Sequence, residues 1–203
     1  MAQVQLRGGP GGPPPQVVAR VQRDRLFRSL AAVSAEQGYA GTTVAHVLQR
    51  ARISRRTFYS LFSDKEDCFL WAYREAMDDA FAEVRDGCEQ DVEAFDRIRS
   101  GARILAERCR AEPAIASLCA VEVLGAGPAG QAARAESTNR FIELLQPLLR
   151  ELGYDKASIT IQTRALVGII NEAIYDRLSR KDVESLPDLV DEMITAQLRP
   201  SRV

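Results

Sequence analysis

Three arginines, Arg52, Arg55 and Arg56, stand around Ser54 in the stretch "ARISRRTFYSLFSDKEDCFL" (51–70), and Thr57, Phe58, Tyr59 and Phe62 follow at once. Guanidinium and hydroxyl groups at this density supply positive charge and hydrogen-bond donors, which suits non-covalent recognition of a polyanion. With Ser54 as the N-cap of a short helix, Arg55, Arg56 and Thr57 fall in its first turn. Phe58 and Phe62, at i and i+4, share an inward face. Tyr59 lies between them and points outward, with a hydroxyl able to reach a phosphate. The cations and the aromatics therefore belong to opposite faces of one element.

The elements that must position this helix are legible in caps and periodicity. A first helix is expected from near Val17 to Gln37, with Leu26, Phe27, Leu30, Ala31 and Val33 on its apolar face. Gly38 stops it, and Tyr39 folds back onto it. Thr43 caps a second, short helix striped by Val44, Val47 and Leu48. Arg52 marks the turn before the helix capped by Ser54. A long fourth helix begins at Asp64, with Lys65, Glu66 and Asp67 in its first turn. Two helices of under three turns cannot fold alone, so the first and fourth must complete their core. This is the helix-turn-helix plan, in which one helix braces while the next enters the major groove of DNA. The expected organisation is a disordered Gly/Pro-rich tail over 1–16, a DNA-binding domain over 17–66 and a helical body over 67–203.

Charge supports the division. The 203-residue chain has a formal charge of -1, yet residues 1–66 carry ten Lys/Arg against four Asp/Glu, and the remainder seventeen against twenty-four. A basic head on an acidic body points to a polyanion partner for the head alone. The chain has one histidine, His46, and four cysteines, Cys68, Cys88, Cys109 and Cys119, with no C-x-x-C pair. No metal site, cofactor or disulfide is expected, and the cysteines read as reduced core residues. The N-terminus lacks the apolar region of a signal peptide and no apolar run is long enough to span a membrane, so a cytoplasmic protein is expected. An enzyme would need a nucleophile, a base and an orienting group. A single histidine, no Gly-rich phosphate loop and no G-x-S-x-G motif speak against one.

The segment "RDRLFRSLAAVSAEQGYAGTTVAHVLQRARISRRTFYSLFSDKEDCFLWAY" (23–73) closely resembles the DNA-binding domain of tetracycline-repressor (TetR) family regulators, above all in "GYAGTTV", "ISRRTFY" and "LFSDKE". The resemblance implies an all-α homodimer with a small DNA-binding head and a larger ligand-binding, dimerising body. In such regulators, usually repressors, a small molecule in the body releases a palindromic operator. It implies phosphate contacts from Thr43, Tyr59 and Lys65, and base or backbone contacts from Ser54, Arg55, Arg56, Thr57 and Ser60. Four positions depart from the family pattern. Arg52 replaces a usual glycine, His46 an acid, Ser34 a bulky aromatic, and Leu61 a His or Tyr that contacts phosphate. His46 reads as a partly exposed neutral residue in a first turn, where an imidazolium is disfavoured without a phosphate nearby. A rival reading is a helical adaptor whose head has lost operator binding, with Arg52 and Leu61 as its symptoms.

In the body, further helices are expected over 92–110, from Pro113 through "PAIASLCAVEVLGAG", over 129–152, over 158–180 and over 186–198. From Ala165 to Ile170 the helix over 158–180 is apolar all round, so it must be covered on two sides. Ala165, Gly168, Ile169 and Glu172 are the candidate interface of a homodimer built as a four-helix contact. Leu105, Leu118, Cys119 and Phe141, with Ile104 and Ile115, are candidates for lining a cavity that would take a small hydrophobic effector. Glu122 falls on the same stripe. It either holds a cationic ligand there, pairs with Arg103 or Arg108, or turns outward at the helix end, and the last two readings weigh more.

Overall fold

The computed structural model describes residues 14–90 and 92–198. Among them every regular element is helical: α1 (Pro15–Gly41), α2 (Val44–Ala51), α3 (Arg55–Tyr59), α4 (Lys65–Cys88), α5 (Ala94–Ala111), α6 (Pro113–Ala120), a 3-10 turn (Glu122–Gly125), α7 (Gly127–Glu151), α8 (Lys156–Ser179) and α9 (Leu186–Leu198). Most of the expected tail, residues 1–13, lies outside the described residues. Its last part does not stay irregular, because α1 begins at Pro15, a residue type suited to a first helical position.

Local chemistry explains the ends. Gly38 adopts φ 76°, so α1 breaks there and Tyr39 to Gly41 form a last offset turn. Three side-chain caps start α2, α3 and α4: Thr43 accepts the His46 N–H, Ser54 the Thr57 N–H, and Asp64 the Asp67 N–H. The last is reciprocated, since the Asp67 carboxylate accepts the Ser63 N–H at 2.9 Å. A cap of this kind contributes about 1 kcal/mol. Asp155 starts α8 in the same way, accepting from Ala157 and Ser158.

Two apolar clusters form the interior. The first gathers Leu26, Leu30, Val47, Phe58, Phe62, Phe69 and Tyr73, and takes in Ile115, Leu118 and Val123 from the far side of the chain. The short helices of the head thus borrow part of their core from α6 and the turn after it. The second cluster runs through Ile98, Ala106, Leu149, Leu166, Ile174, Leu186 and Ile194, joining α5, α7, α8 and α9. A fully buried Leu or Phe of this kind contributes about 1.5–3 kcal/mol. Arg99 fixes α9 to α5 through paired hydrogen bonds to Asp191, from Nε at 2.7 Å and from Nη2 at 2.9 Å.

The cysteines behave as expected of core residues. Cys68, Cys88 and Cys109 are buried, Cys119 is half-buried, and all four are free thiols. Burial pushes the thiols of Cys68, Cys109 and Cys119 up to about 12, which suppresses thiolate reactivity at neutral pH.

Candidate nucleic-acid interface and internal cavity

The turn between α2 and α3 is made by Arg52 in the left-handed region, φ 53° and ψ 46°, and the Ile53 N–H closes it on the Leu48 carbonyl at 3.3 Å. Such a backbone costs a non-glycine residue about 1–2 kcal/mol. It also sets a third guanidinium beside the first turn of α3. There Ser54 Oγ accepts the Thr57 N–H at 3.1 Å and shares a hydrogen bond with Thr57 Oγ1 at 2.8 Å, and the Ser60 hydroxyl donates to the Thr57 carbonyl at 2.7 Å. Phe58 and Phe62 are buried, with their rings tilted to each other and centred 5.7 Å apart, and Tyr59 is half exposed with its ring edge-on to Phe58. Arg55 and Arg56 are exposed, and among the described residues neither side chain has an ion-pair or hydrogen-bond partner. The structure therefore brings Ser54, Arg55, Arg56, Thr57, Tyr59 and Ser60 onto one exposed cationic surface, with Thr43 exposed at the start of α2. His46 is exposed too, and its Nδ1 is hydrogen-bonded to the Gln37 amide at 2.9 Å. Ser34, where an aromatic was expected by resemblance, is fully buried and spends its hydroxyl on the Leu30 carbonyl.

Lys65 differs from the other candidates. Its ammonium donates to the Tyr39 carbonyl at 2.9 Å and sits 3.9 Å from the centre of the Tyr39 ring. It is a brace between α4 and the end of α1 before it is anything else. An ammonium has three donors, so this bond leaves capacity for a phosphate.

Glu122 corrects its sequence-based placement. It does not line a cavity, and among the described residues it pairs with neither Arg103 nor Arg108. Its Oε2 accepts the Tyr39 N–H at 2.6 Å. The break at Gly38 frees that N–H from the helix ladder, and the carboxylate satisfies it.

An internal cavity of ≈ 110 Å³ lies between α4, α5, α6, α7 and α8. Leu105, Ile115, Cys119 and Phe141 line it as expected, joined by Tyr73, Met77, Leu145 and Ile170. Leu118 does not: it is fully buried one position out of phase, in the core beneath the head. Ile104 faces a different, open groove with Ser100 and Arg103. Sequence reasoning missed the α4 residues Tyr73, Ala76, Met77 and Ala80, although their i, i+3, i+4, i+7 spacing marks one helix face. The Tyr73 hydroxyl is pushed up to about 12, chiefly by burial, with the Ser137 hydroxyl pulling the other way. A minority of the lining is polar: Arg108, Glu112, Arg134, Ser137, Thr138 and Asn171.

On the outer face of α8, Gly168 and Glu172 are exposed and Ala165 and Ile169 half-buried. Ile161, 70% exposed, and Tyr175 extend the same face, and sequence reasoning missed both. Nothing lies within 4 Å of a Cβ placed on Gly168. Among the described residues no cluster could hold a metal ion, and no helix is long and apolar enough to cross a membrane.

Residues 28–71 match the family model of bacterial regulatory proteins, tetR family. No curated protein matches the chain by sequence. Solved structures share its fold. The fatty acid degradation regulator FadR from Bacillus halodurans superposes with a TM-score of 0.80 at 19% identity, over 89% of this chain and 96% of that one. The transcriptional regulator FadR from Bacillus subtilis, in complex with stearoyl-CoA, gives 0.78 at 15% identity, over 87% and 97%. The TetR family transcriptional regulator PfmR from Thermus thermophilus gives 0.73 at 16% identity, over 89% and 100%. The matched segment spans the second half of α1, the helix-turn-helix and the start of α4, the elements that carry the cationic surface. Residues 28–71 are thus similar to the tetR family of bacterial regulatory proteins, and the chain as a whole shares the fold of solved TetR-family transcriptional regulators.

Proposed function

We propose that the chain acts in the cytoplasm as a repressor, binding a roughly palindromic operator as a homodimer through a head over 17–66. A small apolar effector, held in the body over 67–203, releases it. The observation that carries this reading is the position of α4. Its first residue, Lys65, braces the head against Tyr39, while Tyr73, Ala76, Met77 and Ala80, two to four turns further on, line the cavity. One rigid helix therefore joins the two sites. On DNA, Arg55 and Arg56 are the base-reading candidates, Ser54, Thr57 and Ser60 add base or backbone contacts, and Thr43, Tyr59 and Lys65 contact phosphates. The face of α8 around Ala165, Gly168, Ile169 and Glu172 pairs the subunits.

The size of the cavity supports release on binding. At ≈ 110 Å³ it is below the range of about 300–1,000 Å³ usual for small-molecule sites. An effector larger than a few heavy atoms must part the helices to enter, and that favours a conformation with α4 displaced. A ligand preferring that conformation shifts the population away from the DNA-binding one. The Bacillus subtilis relative of the same fold holds stearoyl-CoA, which makes acyl chains the first effector class to test here. The test is a salt-titrated gel shift on DNA flanking the chain's own gene, with and without medium-chain acyl compounds. Sequence-specific retardation, relieved by an acyl compound, is the expected result. Retardation equal to that of scrambled DNA at every salt concentration would favour the adaptor reading instead.

A further inference from the structure

Four polar residues of the cavity wall come from α7 and α8. Arg134 on α7 is followed one turn later by Ser137 and Thr138, and Asn171 faces in from α8. Three charged groups line the cavity, and two are already compensated. Arg108 is bound by Glu83 and lies 3.8 Å from Asp79, and Glu112 is 3.3 Å from Arg28. Arg134 is half-buried, and among the described residues it has no carboxylate or hydrogen-bond partner. A guanidinium against apolar surface without a counter-charge is costly, and a bound anion removes that cost.

Arg134, Thr138, Val167 and Asn171 also line a second, more open hollow of ≈ 350 Å³ between α7 and α8, walled further by Arg164, Gly168, Glu172 and Tyr175. These four residues stand between a mainly apolar chamber and a more open, more polar groove, as the rim of a mouth does. The groove carries Arg134 and Arg164 against Glu172, so its balance is cationic. Its outer wall includes Gly168 and Glu172, on the face that pairs the subunits in the proposed dimer.

We infer that Arg134, with Thr138 and Asn171, receives the anionic end of an amphiphile whose aliphatic part occupies the cavity. The inference rests on the effector reading given above and specifies its chemistry: a carboxylate or phosphate group on an acyl chain, not a neutral or cationic apolar molecule. A planar guanidinium binds both oxyanions through paired N–H groups, and the Asn171 amide and Thr138 hydroxyl add donors. The anion can belong to a free aliphatic acid or to a phosphate-bearing carrier esterified to the chain.

Calorimetry on the full chain separates these cases with octanoate, octanoyl-CoA and 1-octanol, using wild type, Arg134→Met and Arg134→Lys. Wild type binds at least one anion about tenfold more tightly than the alcohol, the worth of one charge-assisted contact. Arg134→Met binds octanol as wild type does, which also shows that it is folded, but loses the preference for the anion. Arg134→Lys restores part of it. Tighter binding of octanoate identifies the free acid as the preferred source, and tighter binding of octanoyl-CoA the phosphate carrier. Equal affinities for all three probes in wild type, or a preference that survives in Arg134→Met, overturn the anion site while leaving an apolar effector site standing. Failure of wild type to bind any of the three overturns the effector reading and the anion site with it.

Discussion

The carboxylate of Glu122 and the backbone N–H of Tyr39 meet at 2.6 Å, across 83 positions of sequence. The bond ties the turn that follows α6 to the offset end of α1. Lys65 holds the carbonyl of the same Tyr39, so one residue is clamped from both sides by groups of opposite charge. The Tyr39 ring is fixed as well, edge-on to Phe69 at 4.8 Å.

Removing the acceptor leaves a half-buried N–H unsatisfied. Glu122→Ala is expected to lower stability by about 1–3 kcal/mol, and Glu122→Gln, which keeps an acceptor but no charge, by less. Effector affinity should stay at the wild-type value in both, because Glu122 is not in the cavity wall. Thermal unfolding read beside calorimetry checks this, and a loss of effector affinity with unchanged stability would return Glu122 to the cavity.

The caps at Thr43 and Ser54, the start of α4 at Asp64 and the turn at Arg52 were legible in the sequence, because each depends on residues within four positions of one another. So was the inward pair Phe58 and Phe62. The clamp on Tyr39 was not legible, since it joins α1, α4 and the turn after α6, and only the tertiary fold brings them together. Leu118 and Cys119 show a second limit. A helix apolar on every side carries no phase, so nothing in "PAIASLCA" says that Cys119 turns to the cavity and Leu118 to the core beneath the head. Arg134 was passed over because its meaning lies in what does not surround it.

Arg55→Ala and Arg56→Ala are expected to act on sequence reading. A bidentate contact to a base is worth about 1–3 kcal/mol of discrimination, so at least one variant should relax preference at one or two base pairs. Binding of a panel of single-base operator variants measures it. If both variants discriminate as wild type does, α3 is not the reading helix.

Lys65→Ala and Tyr59→Phe should diverge. Each weakens binding to all sequences alike, because phosphates carry no base information. Only the lysine change also lowers the slope of log affinity against log salt, by roughly one unit. Since Lys65 also braces Tyr39, its loss should lower the unfolding temperature, whereas Tyr59, half exposed, should leave it near the wild-type value. A reduced stability with an unchanged salt slope would make Lys65 a brace alone.

Asp191 gives a pH prediction. Hydrogen bonds from Arg99 hold its carboxyl below the usual carboxylate range, against a smaller opposing effect of burial. A carboxylate depressed in the folded state contributes stability that is complete above its unfolded value, about 3.9, and lost as pH falls through the lower folded value. Asp191→Asn should therefore be less stable than wild type at pH 7, with the difference shrinking below about pH 4. Denaturant titrations at the two pH values measure the difference, and a gap that persisted into acid would show that the pair acts by geometry and not by charge.

Gly168 provides the cleanest test of the subunit contact. It sits inside α8, exposed, with no atom within 4 Å of where a Cβ would stand. Within one subunit the Cβ of a new side chain there meets nothing, and an arginine should favour the helix by about 0.5–1 kcal/mol over glycine. Across a two-fold axis the same change sets two guanidinium groups against each other where the backbones must approach closely. Gly168→Arg is thus expected to keep or raise the unfolding temperature of the isolated subunit while shifting sedimentation from dimer to monomer. Operator affinity should fall with it, because a monomer engages one half-site and loses the effective-concentration advantage of the second. A variant that sediments as a dimer and binds the operator as wild type does would place the subunit contact on another face of the body.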